Sequence, residues 1–243
     1  MAVNSARQLF IDHALIADAR GVGLTVNRPA PTGERCLTAD RPWESLEING
    51  YNSVMDDDGV LKLWYDAIAQ DGSRWTCYAT SQDGVHWEKP SLGMVPFDGN
   101  KDTNIVFPPE RMTHEPNCVF KDTNPACRVE EKYKMAASLH PPGMAKGTYV
   151  AASADGLHWR LLKDSPAFRD SDTNNVCFFD NRIGRYVGYV RMWAPMRMVG
   201  RCEFDDITNW GKEETVFSSD AEDLQGLDPR FSPRTPLLPV AQN

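Results

Sequence analysis

Along most of the chain apolar and polar residues alternate over four to eight positions and then meet a cluster of Gly, Asp, Asn or Pro. A period of two bounded by turn residues is the mark of short strands joined by tight turns, and it predicts an all-β chain. Helical periodicity is nearly absent; its best candidate, residues 11–20, is short. The strands form a repeating sentence. A short run opens it (51–55, 116–120, 174–179), an acidic or Asn-rich turn follows (56–59, 122–125, 180–184), and a second strand comes next (61–65, 133–137, 185–190). A third strand then runs into the phrase Ser-x-Asp-Gly-x-His-Trp, found at 81–87 and again at 153–159, with a faded copy ending in Asn209-Trp210.

A supersecondary unit that recurs every 50 to 70 residues reads as a repeat architecture. Four antiparallel strands per unit make that architecture a β-propeller. The pattern places blades at about 50–91, 115–163 and 173–217 within a single domain, with strands and a connection in 1–49. Residues 218–243 read as an incomplete next blade, because Arg230, Pro233, Arg234, Pro236 and Pro239 break any long strand. On this reading the chain is an incomplete ring, C-terminally truncated.

The repeated phrase reads as a hairpin staple. Asp83 and Asp155 can accept backbone N–H groups, Gly84 and Gly156 can take positive φ, and Trp87 and Trp159 offer large apolar faces. His86 and His158 belong to separate blades, which argues against a shared metal. No Walker loop, Gly-x-Ser-x-Gly elbow, His-Glu-x-x-His or dinucleotide fingerprint is present, so the sequence implies no cofactor and no metal.

Composition narrows the partners. The 243 residues carry a formal net charge of −8 and no Lys/Arg cluster, which disfavours a phosphate backbone or an anionic membrane surface. No run reaches the roughly 20 apolar residues of a membrane span. The first residues lack a basic segment followed by an apolar one, so a cytoplasmic setting with reduced thiols is expected. None of the six cysteines forms a Cys-x-x-Cys pair, and Cys77, Cys118, Cys177 and Cys202 lie in apolar runs as small core residues would.

In a propeller the first strand of each blade lines the channel, so polar residues at those strand starts converge from distant parts of the sequence. Glycosidic chemistry needs two carboxylates about 5 to 10 Å apart, and Glu115 and Asp172 are the pair at suitable positions. Asn52, His114 and Asn175 precede or open inner strands. Arg191, a charge inside an apolar run, needs a partner, and Asp172 is the natural one. Trp64 and Trp193 are candidate stacking faces for a sugar, with inter-blade packing as their alternative role.

Several phrases in order, among them 7–12 (Arg-Gln-Leu-Phe-Ile-Asp), 40–44 (Asp-Arg-Pro-Trp-Glu), 63–65 (Leu-Trp-Tyr), 78–90, 104–106, 120–125, 131–134 and 184–186, resemble the five-bladed propeller glycosidase superfamily. This is the invertase, levansucrase and arabinanase type, glycosyl hydrolase family 32-like. The resemblance runs from about residue 7 to 217 and implies a carbohydrate-active propeller, a glycoside hydrolase with an oligosaccharide substrate. A Trp-x-Asn-Asp-Pro phrase and an Arg-Asp-Pro triplet are absent; His114-Glu115-Pro116-Asn117 and the stretch 172–175 stand nearest to them. The alternative expectation is a non-catalytic propeller that binds a glycan or a protein, or an inactive fragment of a larger glycosidase.

Overall fold

The computed structural model describes residues 16–25, 27–107, 116–172, 174–193 and 197–220. Contacts divide the chain into two compact units, Met1–Arg35 and Cys36–Asn243. The described part of the first unit carries no regular element; residues 16–20, the described half of the candidate helix, are irregular, and the rest of it lies outside the described residues.

The described residues of the second unit are all β, apart from 3-10 turns at Pro42–Glu44 and Val129–Glu131. Its strands form three antiparallel sheets. Sheet I is built on the hairpin of β3 (Val60–Ile68) and β4 (Arg74–Ser81). The free edge of β3 pairs with β1 (Glu47–Ile48) and β2 (Ser53–Asp57), and that of β4 with β5 (Trp87–Glu88) and β6 (Ile105–Phe107). Sheet II runs β7 (Pro116–Lys121), β8 (Tyr133–Leu139), β9 (Gly147–Ser153), then β10 (Arg160–Leu161) and β11 (Phe168–Arg169), which pair with opposite ends of β9. Sheet III is a plain meander of β12 (Val176–Asp180), β13 (Arg185–Met192), β14 (Met198–Phe204) and β15 (Glu214–Phe217).

The first strands β2, β7 and β12 stand next to one another, β7 touching both of the others. Ser53 Oγ accepts the backbone N–H of Val119 at 2.9 Å, and Cys118 Sγ lies 3.4 Å from the carbonyl oxygen of Cys177. Meander sheets that share a line of first strands and stack face to face are the blades of a β-propeller.

Alternation decides what fills the seams. In β3, Leu63, Tyr65 and Ala67 join a core with Trp43 and Trp75 on one face of sheet I, while Trp64 joins Tyr78, Tyr133, Met135 and Tyr149 between sheets I and II. A second seam, between sheets II and III, packs Val150 and Phe168 against Tyr186, Phe204 and Trp210. Each seam also carries a buried polar triad. Tyr133, from sheet II, donates to Asp57 of sheet I, which also accepts Lys62 Nζ at 2.6 Å. One seam on, Tyr186 of sheet III donates to Asp122 of sheet II at 2.7 Å, with Lys134 Nζ 3.1 Å from the same carboxylate.

The Ser-x-Asp-Gly-x-His-Trp phrase folds the same way twice. Ser81 Oγ accepts the N–H of Gly84 at 2.9 Å; Asp83 accepts the N–H groups of Val85 and His86 at 2.8 Å and meets His86 Nδ1 at 2.7 Å. Ser153, Asp155, Leu157 and His158 repeat every one of these contacts. The hydrogen bonds of its His86 side chain and turn amides hold the Asp83 carboxyl well below its usual pKa. The copies differ at one atom. Trp87 Nε1 donates to Gly84 O within its own turn, whereas Gly156 O takes its hydrogen bond, at 2.7 Å, from Trp64 of sheet I. All six cysteines are free thiols; Cys77, Cys177 and Cys202 are buried and Cys118 is half-buried.

Candidate functional site

Strand β12 starts at Val176, and the residues before it rise along the rim of blade III. Asp172 there holds φ at +53°, in the left-handed region that non-glycine residues occupy at a cost and that Asp tolerates better than most. Its carboxylate meets Arg191 Nη1 at 2.5 Å, the pairing expected from the sequence. Arg191 lies near the end of β13, and its guanidinium carbon sits 3.6 Å from the ring centre of Trp193. Arg197, across the β13–β14 turn, is 5.7 Å from the same ring.

Arg191 and Arg197 line a cleft of about 540 Å³ whose walls come mainly from blade III, with Tyr51 also on its wall; Asp172 and Trp193 adjoin it through their contacts with Arg191. Val176, Met198, Val199 and Phe217 supply an apolar floor; Asn174, Arg191 and Arg197 supply the polar groups. Concave, mostly apolar walls with a few fixed polar groups are what small-molecule sites look like. Two polar atoms there are buried and have no hydrogen-bond partner among the described residues, the Oδ1 of Asn174 and the Nη2 of Arg191. Leaving one buried polar atom unpaired costs about 1–3 kcal/mol, so two in one cleft are groups waiting for a ligand or for water.

The residues singled out from sequence fall in different places. Asp172, Arg191 and Trp193 come together at this rim. Asn175 does not: it is fully buried, accepts Ser171 Oγ at 2.8 Å and lies 3.4 Å from Thr148 Oγ1, so it ties blade III to blade II. Trp64, at 1% exposure, is likewise closed off, its ring against Tyr78 and Tyr133 and its N–H on Gly156; of its two expected roles, packing is the one it fills. Asn52 is exposed on blade I, where it accepts the N–H of Asp66 at 3.3 Å. His114 and Glu115 lie outside the described residues. Trp193 is half exposed, with Arg191 against its ring and Arg197 further out over it.

Sequence reasoning passed over Asn174, Tyr51 and Arg197. Asn174 is the instructive miss. Residues 174 and 176 line the cleft and 175 and 177 the seam, so choosing Asn175 over its neighbour selects the wrong face by a single residue. The signal available was parity with Cys177, whose apolar thiol marks the buried side of β12.

No protein-family model matches the chain. It is 30% identical over 156 residues to an uncharacterized protein of Mycobacterium tuberculosis strain CDC 1551 / Oshkosh, an alignment covering 57% of this chain and 45% of that protein. The same figures hold for an uncharacterized protein of strain ATCC 25618 / H37Rv. The chain thus spans less than half the length of the curated relatives it matches. Among solved structures it is similar to a glycosyl hydrolase from Bacteroides ovatus, at 16% identity and a TM-score of 0.47 over 69% of this chain and 51% of that one. A thermostable family-43 glycoside hydrolase matches at 15% and 0.49, over 72% and 54%. An α-L-arabinanase of Penicillium chrysogenum complexed with arabinobiose matches at 12% and 0.45, over 70% and 50%. Likenesses this slight carry no conclusion about activity.

Proposed function

We propose that the chain is a carbohydrate-active propeller whose ligand is an oligosaccharide seated in the cleft of blade III. The observation that carries this reading is the pairing, in one cleft, of an unpartnered buried acceptor on Asn174 with an unpartnered buried donor on Arg191. A sugar hydroxyl both donates and accepts, so one ring can satisfy both while its apolar face rests on Val176 or Val199. In the finer form of the proposal the chain is a glycoside hydrolase. Asp172 then acts as base or nucleophile and Glu115, which directly precedes β7, as the acid that protonates the leaving oxygen.

One observation favours a second reading, a propeller that binds glycan without cleaving it. The Asp172 carboxylate is already committed to a 2.5 Å bond with Arg191, and a carboxylate so held serves to position the arginine as readily as to attack a sugar. Two measurements on the full chain separate the readings. Chromogenic glycosides should be turned over by the native chain, and Glu115→Gln and Asp172→Asn should each reduce turnover by at least about 100-fold with the circular dichroism spectrum unchanged. Glycan binding with no turnover by the native chain would leave the second reading; no binding to any glycan would end both.

A further inference from the structure

The charge of the cleft runs against the charge of the chain. Asp and Glu outnumber Lys and Arg by 34 to 26 overall, yet Arg191 and Arg197 are the charged side chains among the described residues that line the cleft. Asp172 stands behind Arg191 and answers only its Nη1. Arg197 is exposed, with its guanidinium over the ring of Trp193 and, among the described residues, no carboxylate paired with it. The nearby Arg201 is already engaged, with Glu203 at 2.7 Å. Among the described residues, the cleft therefore presents one buried guanidinium N–H group with no acceptor and a second guanidinium without a carboxylate, on apolar walls that strengthen any charge interaction made there.

We infer that the sugar bound in this cleft is an acidic one, a uronic acid whose carboxylate accepts from Arg191 Nη2 and Arg197 while a ring hydroxyl donates to Asn174 Oδ1. This rests on the carbohydrate reading above and names its substrate class. A neutral sugar could pair with Asn174 and Arg191 but would leave Arg197 uncompensated. A carboxylate engages both guanidinium groups with charge-assisted bonds, the geometry that arginine forks favour.

The test uses trigalacturonate and its fully methyl-esterified form, in which each carboxylate charge is replaced by a neutral ester, titrated calorimetrically into the full chain, with a neutral arabino-oligosaccharide as third arm. The expected result is binding of the acid at least tenfold tighter than of the ester, with most of that difference lost in Arg197→Gln. Arg197 is exposed and away from both seams, so this variant should fold as the native chain does, which its circular dichroism spectrum will show. Equal binding of acid and ester, or binding of the arabino-oligosaccharide alone, would overturn the inference and leave the carbohydrate reading standing. An acid preference that survives in Arg197→Gln would overturn the assignment to this cleft. Binding of none of the three ligands would overturn the inference, and silence across a wider glycan panel would take the carbohydrate reading with it.

Discussion

The seam between blades I and II and the far face of blade III begin from the same sequence pattern and end differently. In the seam Asp57 is enclosed by partners from both blades: Tyr133, Lys62 at 2.6 Å and Lys121 at 2.7 Å. The equivalent aspartate of blade III, Asp180, is also buried, but its side-chain partner is Arg182 from its own turn, whose side chain is 83% exposed. Where the seam has Trp64 under a neighbouring blade, blade III shows Phe217 at 69% exposure and half-exposed Trp193. Similar strand patterns therefore become scaffold where a neighbouring blade covers them and stay open where, among the described residues, none does. The unfilled hydrogen bonds of Asn174 and Arg191 lie on the uncovered side.

The sharpest way to break this comparison is to exchange the two tryptophans for alanine. Trp64→Ala removes a fully enclosed indole and its bond to Gly156, and should cost about 3–5 kcal/mol in urea unfolding. Trp193→Ala should stay within about 0.5 kcal/mol of the native chain, as exposed substitutions do, while weakening glycan binding. Similar losses from both would mean that blade III is covered after all.

A smaller effect is expected from the aspartates. Asp57→Ala strands Lys62 in a half-closed seam and should cost about 3 kcal/mol, the lower end of what broken buried pairs lose. Asp180→Ala should leave the unfolding midpoint nearly where it was, because an exposed guanidinium is readily rehydrated.

The two copies of the repeated turn offer a finer cut. Gly84 and Gly156 have φ near +80°, so Ala strains both turns by about 1–2 kcal/mol. A Cβ at 156 would also come within 2.8 Å of the Trp64 ring, against 3.3 Å from the flexible tip of Leu61 at position 84. Gly156→Ala should therefore exceed Gly84→Ala by about 1–3 kcal/mol of overpacking. Equal costs would show that the Trp64 contact yields freely.

The mildest probe is pH. Burial alone would raise the Asp57 pKa, but hydrogen bonds from Lys121, Lys62 and Tyr133 outweigh it and hold the carboxyl well below its usual range. Burial likewise opposes the Lys62 charge, and Asp57 and Tyr133 overcome it, pushing Lys62 up to about 12. The contribution of a depressed carboxyl is complete above its unfolded pKa of about 3.9 and is lost as pH falls below that; that of a raised lysine is complete below about 10.4 and is lost as pH rises through 12. Thermal stability should be flat between about pH 5 and 10 and fall on both sides. Asp57→Asn should flatten both shoulders relative to the native chain.

Much of the fold was legible because its signals are local. Alternation marks the strands, the Asp-rich turns close the hairpins, and the repeated phrase sets the unit length. The Arg191–Asp172 pair was legible too, since a charge in an apolar strand must find its opposite. What the sequence concealed was which face each side chain takes. Val176 and Cys177 are both apolar, and only taking Cys177 as the core-facing residue of β12 puts Asn175 in the seam and Asn174 in the cleft. Trp64 and Trp193 both follow strand runs, and only the presence of blade II over one of them separates core from rim. The wider first sheet was hidden for another reason: β1 and β6 are two and three residues long, below the length at which a period of two can be recognised.

The bond from Trp64 to the carbonyl of Gly156 has a consequence for how the molecule assembles. It spans 92 residues, yet it joins neighbours in a row, as do the Tyr–Asp contacts at separations of 76 and 64. Each hairpin can form by itself and then dock on the one before it, so cooperativity passes along a line of nearest neighbours rather than through one shared centre. Amide exchange should accordingly be slowest in β8 and β9, which have a blade on either side, and faster in β15, whose four residues are all exposed.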